Sequence, residues 1–194
     1  IAYYTLAEVE DKAGNYKRAL DCHRESLLIF TKESFPLDYA NLQTNLGNTY
    51  LKLSEVENKT ANLKLAIASY EAALEIYSPA EYCLEFASVA NQLGNAYSRL
   101  AEIEEPLLNY NQAVENYQKT LQVKKLETFP MDYAIIQNSL GNVYLQLAEH
   151  ENKPGNSRKA QAAYEAALKV YTLERFPLVY AITQINLKSV FCAL

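Results

Sequence analysis

The sequence predicts an all-α protein, an α-solenoid in which antiparallel helix pairs stack one after another. The main observation is a 47-residue period: variants of a block that begins Phe-Pro and runs on to Leu-Gly-Asn-x-Tyr recur along the chain. The four copies open at Phe35, Tyr82, Phe129 and Phe176. A fixed period of about 20–50 residues is typical of solenoids, because one repeat cannot bury its apolar face without a neighbour. The second observation is that apolar residues within each block recur at three- and four-residue steps, which is helical spacing.

The period also predicts the domain organisation. All 194 residues are expected to form one continuous array. We expect repeats at 35–81, 82–128 and 129–175, with partial repeats at about 1–34 and 176–194.

Composition and charge disfavour several classes of protein. Apolar residues make up 49% of the chain, but no apolar run approaches the ~18 residues of a membrane-spanning helix. The net charge is -5, and the 18 basic residues are scattered, whereas nucleic-acid binding normally shows a clustered basic face. We therefore expect neither a nucleic acid nor a membrane as partner.

The cysteines bear on the cellular compartment. Cys22, Cys83 and Cys192 are odd in number, far apart and outside any Cys-x-x-Cys pair. This pattern predicts free, buried thiols in a reducing compartment. No signal peptide follows Ile1, so we expect a cytoplasmic protein.

The chain begins, in this prediction, with the tail of a helix at residues 1–9. A connection rich in Glu, Gly and Pro follows and recurs in every repeat. An asparagine ends each connection, and its side chain can accept from a free N–H at the start of a helix, which predicts an N-cap. These asparagines are Asn15, Asn62, Asn109 and Asn156. The helices that they would cap are expected at about 16–31, 63–77, 110–125 and 157–173.

Each of these helices is followed by Phe-Pro or its equivalent. Proline at the first helical position costs no hydrogen bond, so it predicts the start of the other helix of the pair. We call the helices that begin at this proline or its equivalent the first helices of the repeats, and the helices of the preceding paragraph the second helices. We expect the first helices at about 37–54, 80–101, 131–148 and 178–193.

The residues inside the pairs resemble a known family. Leu46-Gly47 with Tyr50, followed by Ala66, Tyr70, Ala73 and Pro79, resembles the tetratricopeptide repeat (TPR), and the same pattern returns in the two following repeats. The chain departs from that family in its period, 47 against the usual ~34, and in the Trp position, which is never Trp here. The long period is similar to that of kinesin light-chain repeats. A HEAT or armadillo array is the alternative fold, and the Leu-Gly-x-x-Tyr signature disfavours it.

The resemblance implies a right-handed superhelix with a concave groove lined by the first helices. The residues that it places in the groove are Asn41, Thr44, Asn48, Lys52, Asn91, Asn95, Arg99, Asn138, Asn142 and Gln146. Asn48, Asn95 and Asn142 follow the repeated glycine, and an amide has donors and an acceptor that suit the main chain of an extended peptide. The alternative is that these amides bond to neighbouring helices or to water. The lysine that chaperone-tail binders of the family use is missing, which disfavours that ligand.

Two further features of the sequence bear on chemistry. The connections carry acidic residues that stacking would align, and a basic partner or a divalent cation could bind there, although a solvated edge is the favoured interpretation. These residues are Glu8, Glu10, Asp11, Glu55, Glu57, Glu102, Glu104, Glu105, Glu149 and Glu151. His23 occupies a stripe position and is expected in the core, whereas His150 is expected to be exposed. Two isolated histidines form no metal cluster or catalytic triad, so we expect no catalysis, metal or cofactor.

The favoured function is a protein–protein interaction scaffold that binds an extended peptide or a partner helix in the groove. The alternative is structural self-association through the truncated repeats at the ends, as a segment of a larger signalling or regulatory protein.

Overall fold

The computed structural model describes residues 2–7 and 10–193, with the backbone alone for 191–193. Over these residues the chain forms nine α-helices and no strand. In chain order they are α1 (Ala2–Leu6), α2 (Lys12–Leu27), α3 (Pro36–Leu53), α4 (Lys59–Leu74), α5 (Cys83–Ala101), α6 (Pro106–Val123), α7 (Pro130–His150), α8 (Lys153–Leu168) and α9 (Pro177–Ala193). The all-α prediction is confirmed.

The helices are grouped in two compact units, Ile1–Ile103 and Glu104–Leu194. Within each unit every helix packs against the next one along the chain, as a helical repeat requires. The core of the first unit is built on the fully buried Leu63, Ala66, Tyr70 and Ala73 of α4. In the second unit α7 packs most extensively on α8, whose Ala160, Tyr164 and Ala167 are fully buried. The alanines allow the helix axes to approach closely, and the tyrosines fill the remaining volume.

Proline opens three of the first helices, as the sequence predicts. α3, α7 and α9 have Pro36, Pro130 and Pro177 at the helix start. The prediction was less accurate for α5, which begins at Cys83 rather than at 80. There, Ser78 accepts from the backbone N–H of Glu81 at 3.2 Å, which holds a turn before the helix.

The predicted N-caps are wrong, because the second helices begin four residues earlier. Asn15, Asn62, Asn109 and Asn156 lie inside the first turn and are buried. Each donates its side-chain N–H to a backbone carbonyl five residues upstream, at 2.7–2.9 Å. The accepting carbonyls belong to Glu10, Glu57, Glu104 and Glu151. The asparagine therefore closes the turn from inside the helix instead of capping it.

In α2, α4, α6 and α8, the residue that actually caps the start of the helix adopts a left-handed backbone conformation. The φ angles are 39° at Asp11, 46° at Asn58, 47° at Glu105 and 41° at Asn152. Asp and Asn tolerate this region better than other residues with a Cβ, whereas Glu does not share that tolerance. Within a unit, at Asn58 and Asn152, the left-handed residue reverses the chain between two helices, and the asparagine four residues later stabilises the turn.

The cysteines differ in part from the prediction. Cys22 and Cys83 are free thiols, but both are exposed rather than buried. Cys22 lies on the solvent face of α2, and Cys83 lies at the exposed start of α5. The side chain of Cys192 lies outside the described residues. In the part of the chain that the structure describes, each helix is too short or too polar to cross a lipid bilayer.

The left-handed turns yield a stability prediction. Glu105→Asn places the residue found at Asn58 and Asn152 in the one such turn that holds Glu, and relief of the strain should raise the free energy of unfolding by about 1 kcal/mol. The matched reverse change, Asn58→Glu, should lower it by a similar amount. Urea unfolding followed by circular dichroism measures both. Equal stability of all three proteins would contradict the strain.

Candidate functional site

The repeated Leu-Gly-Asn sequence forms a socket for a buried tyrosine. Tyr70 of α4 is fully buried against α3. A Cβ at Gly47 would lie 2.5 Å from a ring carbon of Tyr70, so only glycine lets the ring approach. The Tyr70 hydroxyl donates to Asn48 Oδ1 at 2.8 Å. Gly47 thus admits the ring, and Asn48 satisfies the hydroxyl that enters with it.

The second unit contains the same socket. A Cβ at Gly141 would lie 2.5 Å from the Tyr164 ring, and the Tyr164 hydroxyl donates to Asn142 Oδ1 at 2.8 Å. Burial raises the pKa of both Tyr70 and Tyr164 far above the ordinary value, so each hydroxyl stays a donor. The side-chain oxygens of Asn48 and Asn142, two of the asparagines predicted to bind peptide, therefore have a structural partner.

The same amides also link successive first helices. Gln92 Nε2 of α5 donates to Asn48 Oδ1 of α3 at 3.4 Å, and Gln92 Oε1 accepts from Asn95 Nδ2 at 2.9 Å. In the second unit, Asn186 Nδ2 of α9 donates to Asn142 Oδ1 of α7 at 3.2 Å. Bonding to neighbouring helices, the alternative interpretation of the amide row, is thus observed for the carbonyl oxygens of Asn48 and Asn142.

The two predicted groove cations are paired within the first unit. Arg99 contacts the Glu55 carboxylate at 2.6 Å, and Lys52 lies 3.8 Å from it. Partial burial raises the pKa of Glu55, but Arg99 and Lys52 outweigh that effect and hold it below its usual value. A partner carboxylate would have to compete with Glu55 for these cations.

The other predicted groove residues lie in different surroundings. Asn41 Oδ1 accepts from the Tyr77 hydroxyl at 2.9 Å, and Thr44 donates to the Ala40 carbonyl of its own helix at 2.9 Å. Asn138 Oδ1 accepts from Thr183 at 3.1 Å. Asn91 is half-buried and Gln146 is exposed. None of these contacts tests a role in peptide binding, which stays a prediction.

A cleft of about 280 Å³ opens between α3 and α5 in the first unit. Its lining residues are Asn41, Thr44, Asn45, Tyr77, Leu84, Glu85, Ser88 and Val89. The structure brings two predicted residues, Asn41 and Thr44, into this cleft. The volume is near the lower end of ~300–1,000 Å³ for small-molecule pockets, so the cleft suits one side chain of a larger ligand.

Sequence reasoning assigned no role at the site to two other cleft residues, Tyr77 and Glu85. Tyr77 falls on the apolar spacing of its repeat, which predicts a core position, whereas in the structure its hydroxyl donates to Asn41 Oδ1. Glu85 was not considered, although Asp38 and Asp132 stand at the same place in neighbouring repeats. That recurrent carboxylate, in the first turn of three first helices, was the signal that could have found it.

An exposed apolar side chain stands in the first turn of each first helix. Leu37 and Leu84 are 41% and 46% exposed in the first unit. Met131 and Leu178 are 38% and 73% exposed in the second. Leu84 also lines the cleft, so a ligand there meets apolar as well as polar surface.

The acidic connections are partly neutralised. Lys17 pairs with Glu57 at 2.7 Å, and Lys59 pairs with Glu102 at 3.2 Å. Over the described residues, no group of three or more His, Cys, Asp or Glu is arranged to hold a metal ion. Glu8 lies outside the described residues. A solvated edge with local ion pairs fits these contacts.

The histidines lie where the sequence predicts. His150 is exposed, with its ring 6.4 Å from that of Tyr110. His23 is 9% exposed and stands one period before Tyr70. It borders a cavity of about 130 Å³, together with Tyr4, Asn45, Asn48 and Thr49. Burial lowers the pKa of His23 below its ordinary value.

The sequence matches no protein-family model, and no curated protein is detectably similar to it.

The lowered pKa of His23 predicts a loss of stability in acid. Below about pH 6.5 the unfolded chain binds a proton that the buried imidazole resists, so unfolding becomes more favourable as the pH falls. His23→Tyr, which inserts the residue of the later repeats, should remove this part of the pH dependence. Thermal midpoints between about pH 7.5 and 5.5 measure it.

The control is His150→Gln, which removes the exposed histidine and should keep the acid-side loss. An identical decline of the midpoint in His23→Tyr and in the parent protein would exclude His23 as its source.

Proposed function

We propose that the chain is a protein-interaction scaffold, a long-period TPR-like array whose first helices bind an extended peptide segment of a partner protein. The observation that carries the proposal is the cleft between α3 and α5, which opens beside half-exposed amides of the same face. The right-handed superhelix and the concave groove belong to this proposal, and they rest on the resemblance to the family. The proposal includes no catalysis and no cofactor.

The contacts of the amides define how such a peptide would be held. Asn48 and Asn142 use their carbonyl oxygens for the buried tyrosines and for the next first helix. Their Nδ2 groups are the atoms that we assign to the peptide, as donors to its backbone carbonyls. A donor-only contact is more restrictive than one that uses both the N–H and the oxygen of the amide. It favours an extended ligand whose backbone carbonyls face the Nδ2 group in the unit that it contacts.

Apolar contacts would supply the rest of the affinity. Leu37 and Leu84 lie in the first turns of α3 and α5, and the side chain of each is more than a third exposed. Burying such side chains contributes about 25 cal/mol per Å² of apolar surface, whereas each amide bond adds about 0.5–1.5 kcal/mol net. The amides would therefore fix the orientation of the peptide, and the apolar side chains would add affinity.

A paired substitution tests the assigned donors. Asn48→Asp with Asn142→Asp keeps an oxygen for each tyrosine hydroxyl but removes both Nδ2 donors. Binding to peptides selected from a random library on the whole chain should weaken about threefold to tenfold, because the peptide loses the Nδ2 donor of the unit that it contacts. Fluorescence anisotropy measures the affinity, and circular dichroism verifies the fold.

The control carries the same charge change elsewhere. Asn111→Asp lies on α6, where Asn111 donates only to the Leu107 carbonyl of its own helix, and it should leave binding unchanged. Undiminished affinity in the paired variant would refute the donor role, and failure to select any peptide would refute peptide binding itself.

Self-association is the second candidate, and the surface of α9 favours it. Leu178, Ile182 and Ile185 recur at helical spacing and are 73%, 45% and 65% exposed. Covering such an apolar stripe with a second copy of the chain would remove it from water and would therefore be favourable. Sedimentation across a concentration series should then show dimers or larger species, and Ile185→Lys should return them to monomer. A monomer at every concentration would rule out this candidate.

A further inference from the structure

An ammonium group already lies beside the start of the first helix α7. In the second unit, Lys124 Nζ lies 2.8 Å from the Asp132 carboxylate and 4.0 Å from the centre of the Phe129 ring. The Lys124 side chain is only 18% exposed. A carboxylate and an aromatic face together stabilise a cation more than either does alone.

The equivalent positions one period upstream are Tyr77, Tyr82 and Glu85. The ring and the carboxylate are kept, but tyrosine replaces the lysine. Tyr77 packs edge-on against Tyr82, with ring centres 5.9 Å apart. Its hydroxyl proton is directed to Asn41 Oδ1, so Tyr77 donates nothing to Glu85.

Glu85 therefore has no lysine at the position that corresponds to Lys124. Among the residues that the structure describes, no lysine or arginine forms an ion pair with it. Glu85 lines the 280 Å³ cleft. Burial raises the pKa of the Tyr77 hydroxyl, and the negative charges of Glu85 and Asp38 raise it further, so the field at this wall of the cleft is negative.

We infer that this cleft binds one lysine or arginine side chain of the peptide, with its charged group at Glu85. The inference rests on the proposed function, because it assumes that a peptide occupies the face of α3 and α5. Leu84 and Val89 line the same cleft and would pack against the aliphatic stem, as apolar surface does for long basic side chains. The hydroxyl of Ser88 adds a neutral acceptor. The cation of the peptide would then pair with Glu85 in the way that Lys124 of the chain itself pairs with Asp132.

Methyl NMR of the whole chain tests the site directly. The probes are acetylated and amidated nonapeptides of alanine and serine that carry lysine, arginine, norleucine or glutamate at the centre. The lysine and arginine peptides should shift the methyl signals of Leu84 and Val89, and they should bind about three- to fivefold more tightly than the norleucine peptide. The preference should decrease at high salt, since the pair is partly exposed.

Three variants assign the effect to Glu85. Glu85→Gln should abolish the preference for lysine over norleucine and leave norleucine binding unchanged. Glu81→Gln removes an exposed carboxylate just before α5 and should leave the preference intact. Tyr77→Lys rebuilds the arrangement of Lys124, and its own ammonium should compete with the peptide cation. Circular dichroism confirms that each variant is folded.

The outcomes separate this inference from the proposed function. Equal shifts with all four central residues, or a lysine preference that survives Glu85→Gln, would overturn the cation site while peptide binding stands. Absence of shifts at Leu84 and Val89 with the lysine peptide would also overturn the cation site. Peptide binding as such is decided separately, by the library selection.

Discussion

The fold depends on one buried contact, the tyrosine ring that lies on a glycine of the facing helix. Tyr70 and Tyr164 are fully buried, and each brings a hydroxyl into the interior that must find a partner. Gly47 and Gly141 provide the room, and the next residue provides the acceptor. Because the helix pair can close only when ring, glycine and asparagine meet, this contact sets the register of the two helices.

Much of the architecture could be predicted from the sequence, because the signals were backbone signals. Proline fixes a helix start through its ring, and Pro36, Pro130 and Pro177 were interpreted correctly. The caps were misplaced because a buried asparagine and a capping asparagine look alike in sequence. Only the left-handed φ angle four residues earlier distinguishes them, and it occurs at Glu105, a residue that rarely signals it.

The candidate site was predictable only in part, for a related reason. The amide row was found, but the sequence could not show that Asn48 is already the acceptor for Tyr70 and Gln92. A periodic polar residue can serve the inside and the outside of a repeat at once. Glu85 was missed because nothing in its own sequence context sets it apart. Only the contact between Lys124 and Asp132 in the structure shows that the corresponding Glu85 lacks such a lysine.

The tyrosine socket closes inside a single repeat, since Gly47, Asn48 and Tyr70 all fall between residues 35 and 81, and Gly141, Asn142 and Tyr164 between 129 and 175. A duplication or deletion of one whole repeat therefore adds or removes complete sockets and leaves no tyrosine hydroxyl without its acceptor. A deletion that begins between a glycine and its tyrosine, and that is not a whole multiple of 47 residues, would part the ring from its glycine. A change in the number of repeats therefore keeps the sockets intact when it proceeds in whole repeats.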